Sequence, residues 1–72
     1  MEDVLYTVKE VSEIIKTNPA YVYSLIKAGH LPVLKLGSLK VRKAALEQFL
    51  EKSDGLDFTD PFNVKELGGE IH

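Results

Sequence analysis

The sequence predicts a mainly α domain with one small β-hairpin between its second and third helices. Three observations predict it. Apolar residues recur at helical spacing in three short windows, each bounded by start or stop signals. Between the second and third windows the residues turn to β-formers around Gly37-Ser38. From Lys16 to Lys43 there are six basic side chains (Lys16, Lys27, Lys35, Lys40, Arg42, Lys43) and no acidic one. In a chain of net charge −2, such a basic stretch points to a polyanionic partner.

The first helix is expected near Val8–Lys16. Thr7 followed by Glu10 forms a capping box, in which each side chain satisfies the other's backbone N–H. Val8, Val11, Ile14 and Ile15 should face inward, with Leu5 or Tyr6 packing over the start. A tight turn at Lys16-Thr17-Asn18 leads to the second helix, roughly Pro19–Ala28. Asn18 is a good N-cap. Pro19 suits the first helical position, where its missing N–H is not needed. Val22, Leu25 and Ile26 form the buried stripe, and Gly29 is suited to a left-handed C-cap. Two short helices joined by such a turn make a helix-turn-helix candidate.

His30-Leu31-Pro32 then leads into a hairpin of Val33–Leu36 and Leu39–Arg42, turning at Gly37-Ser38. A lone hairpin is marginal in water, so this wing must pack on the helices. The third helix is expected over Ala44–Lys52, with Leu46, Phe49 and Leu50 on one face and Glu47 and Glu51 on a solvated one. Its cap is weak, because neither Lys43 nor Ala44 offers a side-chain oxygen. From Ser53 the periodicity dissolves. Asp54-Gly55, Asp60-Pro61 and Gly68-Gly69 are turn signals, and Phe58, Phe62, Val64, Leu67 and Ile71 are scattered among acids.

Size and composition bound the rest. A chain of 72 residues makes one small domain with a thin stability margin. It has no cysteine, which excludes a disulfide framework and a cysteine-based zinc site. No segment approaches membrane-spanning length. The acidic Met1-Glu2-Asp3 start is unlike a signal peptide, so a cytoplasmic setting is expected. Residues 4–53 carry eight basic and four acidic side chains, and residues 54–72 carry one basic and five acidic. The expected organisation is a basic domain over 4–53 and an acidic tail over 54–72. That tail is either flexible or folded back, and it is a natural place for a partner to bind.

Enzymatic readings find little support. His30 lies in the hinge and His72 is terminal. No His, Asp and Glu cluster has metal-ligand spacing, Glu10 and Glu13 read as solvated surface, and Gly68-Gly69 lacks the rest of a phosphate loop. No catalytic residue, metal or cofactor is expected.

Double-stranded DNA fits better. The second helix of a helix-turn-helix enters the major groove with its N-terminal residues nearest the bases. Here those are Asn18, Pro19, Ala20 and Tyr21, then Ser24. Pro19 and Ala20 offer apolar contact to a thymine methyl, and the first-turn N–H groups suit a phosphate oxygen. Tyr21 and Tyr23 are phosphate donors, or Tyr21 meets a base edge; Tyr23 is otherwise open between core and surface. Lys27, at the far end, suits the backbone. On the wing, Lys35, Ser38, Lys40, Arg42 and the following Lys43 complete the candidate set. The two-residue period puts Lys40 and Arg42 on one face and Val41 on the other, packed inward. A solvated hairpin face is the alternative for Lys40 and Arg42. Leu39 is left open as groove wedge, core residue or partner contact, and His30 reads as a hinge or surface histidine.

The run Tyr6–Leu50 resembles the excisionase-type winged helix-turn-helix domain related to the MerR DNA-binding domain. Thr7-Val8-Lys9-Glu10-Val11 is similar to that family's T-x-x-E-[AV] start, and Val22–Pro32 to its V-Y-x-L-I-x-x-G-x-L-P block. Lys35-Leu36-Gly37 and Val41-Arg42 resemble the wing, and Leu46–Leu50 the closing helix. The resemblance implies a non-enzymatic, sequence-specific DNA-binding protein, either an excisionase (a recombination directionality factor) or a small transcriptional regulator. It further implies a phage, mobile-element or bacterial protein associated with the nucleoid. Its partners would be DNA and either an integrase or recombinase, or another copy of itself on adjacent sites, without a membrane. The departures are Pro19 and Ala20 after the cap, Ser24, and Ser38 and Leu39 at the wing tip, where such domains often carry basic residues. Fewer cations mean weaker binding by a lone monomer. The alternative is a protein-interaction module that keeps the fold and binds DNA weakly or not at all.

Overall fold

A computed structural model describes residues 4–67. Met1-Glu2-Asp3, the Gly68-Gly69 turn signal, Ile71 and His72 lie outside the described residues. The elements run β1 (Leu5–Thr7), α1 (Val8–Ile14), α2 (Pro19–Lys27), β2 (Leu34–Leu36), β3 (Ser38–Arg42), α3 (Lys43–Ser53), β4 (Leu56–Asp57) and β5 (Lys65–Glu66). The mainly helical, winged helix-turn-helix architecture is therefore present. The sheet exceeds the expected hairpin: β1 joins it as a third strand, giving the antiparallel order β1-β3-β2.

The local signals act as expected at three helix ends. In the capping box the Thr7 N–H donates to Glu10 Oε1 at 2.8 Å, and the Glu10 N–H to Thr7 Oγ1 at 3.1 Å. The Tyr21 N–H donates to Asn18 Oδ1 at 2.9 Å, capping α2 ahead of Pro19. At the far end of α2 the His30 N–H bonds the Leu25 carbonyl and the Gly29 N–H bonds that of Ile26, both at 3.0 Å, with Gly29 at φ +85°. This is the paired termination that a left-handed residue permits. The same pair of bonds closes α1, from Thr17 to Ser12 and from Lys16 to Glu13. There a lysine holds the left-handed position, at φ 60°.

Alpha-3 begins at Lys43 without a side-chain cap. Its first N–H is satisfied by the Val4 carbonyl at 2.8 Å, so the chain before β1 supplies what the local sequence lacks.

The core gathers Val8, Val11, Val22, Leu25, Leu31, Val41, Leu46 and Phe49. It draws on all three helices, the central strand and the hinge. Ile14 departs from expectation: it is 45 % exposed. Alpha-1 ends at Ile14, so only its first two turns are held against the core, and Ile15 contributes in part. Leu50 is also exposed, on the flank of an α3 stripe that Leu46 and Phe49 already fill.

Residues beyond α3 carry structure that the periodicity does not show. Beta-4 and β5 pair antiparallel, Leu56 with Glu66 and Asp57 with Lys65. Phe58 packs edge-on against Phe49 (5.1 Å between centroids) and against the His30 ring (4.9 Å). His30 Nε2 lies 2.6 Å from the Pro61 carbonyl, and Pro61 is buried.

Candidate nucleic-acid interface

The faces of α2 separate cleanly. Val22 and Leu25 are fully buried, with Tyr21 and Ile26 beside them against the core. Pro19, Ala20, Tyr23 and Lys27 are exposed, and Ser24 is half-buried. Ala20, Tyr23, Ser24 and Lys27 are spaced three and four apart, so they form one outward stripe opposite the buried one. The stripe mixes a methyl, a phenol, a hydroxyl and, in the last turn, an ammonium. Ser24 Oγ donates to the Ala20 carbonyl at 3.3 Å, which leaves its lone pairs available. Asn18 is exposed, but its oxygen is engaged by the cap. Its NH2 group is the side chain's donor for a further bond.

Tyr21 stands apart from the stripe. It lies on the flank of α2, half-buried, and its hydroxyl donates to the Phe58 carbonyl. Burial, and then the nearby Asp57 carboxylate, push its phenol above the ordinary value. The proton is therefore firmly held, and the donor foreseen for phosphate is occupied within the chain. A cleft of about 490 Å³ opens at this point, lined by Thr17, Asn18, Tyr21, Phe58 and Thr59. No periodicity marks this contact in the sequence. Phe58, an aromatic among acids, and His30 in the hinge are its only traces.

The wing divides the remaining candidates. Strand β3 pairs Lys40 with Thr7 on one side and Leu34 on the other, Arg42 with Leu5, and Ser38 with Leu36. Directly paired residues share a sheet face. Ser38, Lys40 and Arg42 therefore lie on one face with Leu5, Leu34 and Leu36. Val41, fully buried, points the other way. Lys35 pairs with Leu39, which puts it on the Val41 face. Leu39 itself is half-buried against the core.

At the wing tip Lys40 Nζ donates to Ser38 Oγ at 2.7 Å. Gly37, at φ +80°, makes the reversal a single residue wide, tighter than a Gly37-Ser38 turn. Arg42 is exposed at the base of the wing and lines a groove of about 340 Å³ with Pro32, Leu34 and Ala44. Lys43 opens α3, its Nζ 4.0 Å from Glu47 Oε2 across one helical turn. Both of those side chains are more than half exposed, so the pair contributes little.

Among the described residues no group of three His, Asp or Glu side chains is placed to hold a metal. No helix there is long and apolar enough to cross a membrane.

The model of the helix-turn-helix domain matches residues 5–54. The chain belongs to the helix-turn-helix domain family. That domain is a non-catalytic DNA-binding module. No curated protein and no solved structure matches the chain. The matched span ends one residue past α3, so β4 and β5 lie beyond what the family shares.

Proposed function

We propose that this helix-turn-helix protein binds double-stranded DNA in a sequence-dependent way, as an excisionase or a small transcriptional regulator. The outward stripe of α2 carries the reading. Ala20 and Ser24 would meet base edges in the major groove, with Tyr23 and Lys27 on phosphates. Pro19 and the Ala20 N–H would face the backbone where the helix enters, and the NH2 group of Asn18 would lie at the same point. On the wing, Lys40, Arg42 and Ser38 would hold a strand from one sheet face. Lys35 and Lys43 would add charge from the tip and the base.

The excisionase alternative rests on the likeness of Tyr6–Leu50 to such domains. It brings an integrase or a neighbouring copy as partner, which the scarcity of cations on α2 favours, since cooperative contacts offset weak phosphate binding.

Selection of duplexes from a random pool, followed by a salt titration, tests the reading. Expected is tight, salt-sensitive binding with a shared site among the selected duplexes. Absence of binding at low salt, where electrostatic attraction is greatest, would overturn it. Amide shifts on adding the selected duplex should centre on α2 and the wing.

A second reading has its own observation. Leu5, Leu34 and Leu36 are all exposed on the Lys40 face of the sheet, an apolar surface suited to a protein partner. A partner that shifts these residues in the absence of DNA would favour it.

A further inference from the structure

We infer that the acidic β4–β5 hairpin is a docked latch that competes with DNA for the first turn of α2. The inference rests on the DNA-binding reading above and adds a regulatory contact to it. Three contacts fix the hairpin at that place, and a cleft opens beside them. The Tyr21 hydroxyl, at the third residue of α2, donates to the Phe58 carbonyl. Phe58 seats its ring between Phe49 and His30. His30 Nε2 meets the Pro61 carbonyl. Phe58 and Thr59 line the cleft there together with Thr17, Asn18 and Tyr21.

The result is that the segment following α3 returns to the residues a DNA backbone must approach. It brings the wrong charge for that approach. Between Asp54 and Leu67 there are four acids, Asp54, Asp57, Asp60 and Glu66, against one lysine, Lys65. Asp57 lies close enough to Tyr21 to act on its phenol. A phosphate arriving at the first turn of α2 meets this field and finds the Tyr21 donor taken. Docking and DNA binding thus oppose each other. DNA must displace the latch or bind against it, and either lowers the affinity of the isolated chain.

The contact is built to open. The latch strands are two residues each, a length with little stability of its own. Within the hairpin Pro61 is buried, Phe58, Leu56 and Val64 are half-buried, and Phe62 is 63 % exposed.

Two full-length variants test the latch. Asp57→Asn with Asp60→Asn removes two charges and keeps an Oδ1 acceptor for the Thr59 and Phe62 N–H groups that the aspartates now serve. Phe58→Ala removes the docking ring. Affinity is read on a mixed-sequence duplex of about two helical turns, across a salt series. Amide shifts of Tyr21 and Thr59 report docking.

The charge variant should bind about fivefold more tightly at low salt, from two like charges removed near the backbone, with the gain vanishing at high salt. Phe58→Ala should bind at least as tightly as the charge variant. Saturating DNA should move the wild-type Thr59 amide toward its position in Phe58→Ala. Wild-type affinity in the charge variant overturns the latch and leaves the DNA reading intact. Tighter binding by the charge variant with weaker binding by Phe58→Ala makes the hairpin a buttress of α2, and also overturns it. Failure of all three proteins to bind at any salt removes the DNA reading, and the latch with it.

Discussion

At the scale of single residues, α1 and α2 end in the same way with different side chains at the left-handed position. Lys16 sits at φ 60° and Gly29 at φ +85°, each followed by the same two backbone bonds. An L-residue in this region costs about 1–2 kcal/mol. Lys16→Gly should therefore stabilise the fold by about 1 kcal/mol, a rise in Tm of roughly 4–8 °C for a domain this size. Gly29→Ala should lower Tm by a similar amount, and for backbone reasons alone, since no atom lies within 4 Å of where its Cβ would be. Thermal melts of both variants check this. A charge-driven account of Lys16 predicts the opposite sign. Asp57 gives a second residue-scale expectation. Its carboxylate accepts from Thr59 Oγ1 at 2.6 Å and from the Thr59 N–H at 2.9 Å. These bonds, with Lys65 assisting, hold its pKa below the ordinary value. A carboxylate depressed in the folded state contributes stability above its unfolded pKa, about 3.9, and loses it as pH falls through the lower folded value. Acid should therefore loosen β4–β5 before the helices. Amide shifts of Thr59 and Phe62, compared with those of Val22 and Leu25 through an acid titration, would show that order or refute it.

At the scale of elements, what was legible in the chain is what local chemistry decides. The Thr7–Glu10 box, the Asn18-Pro19 start and Gly29 each fix a helix end through bonds between near neighbours, and those ends fall where the residues indicate. The hairpin around Gly37 was legible for the same reason. Beta-1 was not. Leu5-Tyr6-Thr7 has no alternation to announce a strand, and it becomes one only by pairing with Lys40–Arg42, far along the chain. The β4–β5 pair was hidden for a related reason, because its docking depends on Phe58 meeting Phe49 and His30 in space. The candidate site was legible as a set of residue types more than as an arrangement. The buried side of α2, Val22 and Leu25, followed from its period, whereas the outward place of Tyr23, the engagement of Tyr21 by Phe58 and the separation of Lys35 from Lys40 needed the folded arrangement. Central β3 ties the sheet to the core through Val41, which is fully buried. Val41→Ala should cost about 2 kcal/mol, a large share of what a domain of this size possesses. Because β3 pairs with both neighbours, amide-exchange protection in β1 and β2 should fall together. If β2 alone loosened, the three strands would not form one cooperative unit.

At the scale of the whole molecule, charge is divided between two regions that touch. The basic stretch and the acids after Asp54 nearly cancel in sum, but a DNA backbone samples them locally, within a Debye length of about 10 Å at 0.1 M salt. The net charge of −2 is therefore a poor guide to association, and the count of cations facing the duplex is a better one. The proposed interface holds five: Lys27, Lys35, Lys40, Arg42 and Lys43. Neutralising five phosphates gives a slope of log K against log salt of about −4.5. That is an upper bound on steepness, because Lys35 lies on the opposite sheet face from Lys40 and Arg42. Lys27→Ala should flatten the slope by about 0.9 and weaken all duplexes alike. Ser24→Ala should leave the slope unchanged and relax the preference among selected sites, since a base contact carries sequence information and no counterion. The two variants thus separate affinity from specificity along one helix. If both changed the slope equally, or neither changed anything, α2 would not be the element that enters the groove.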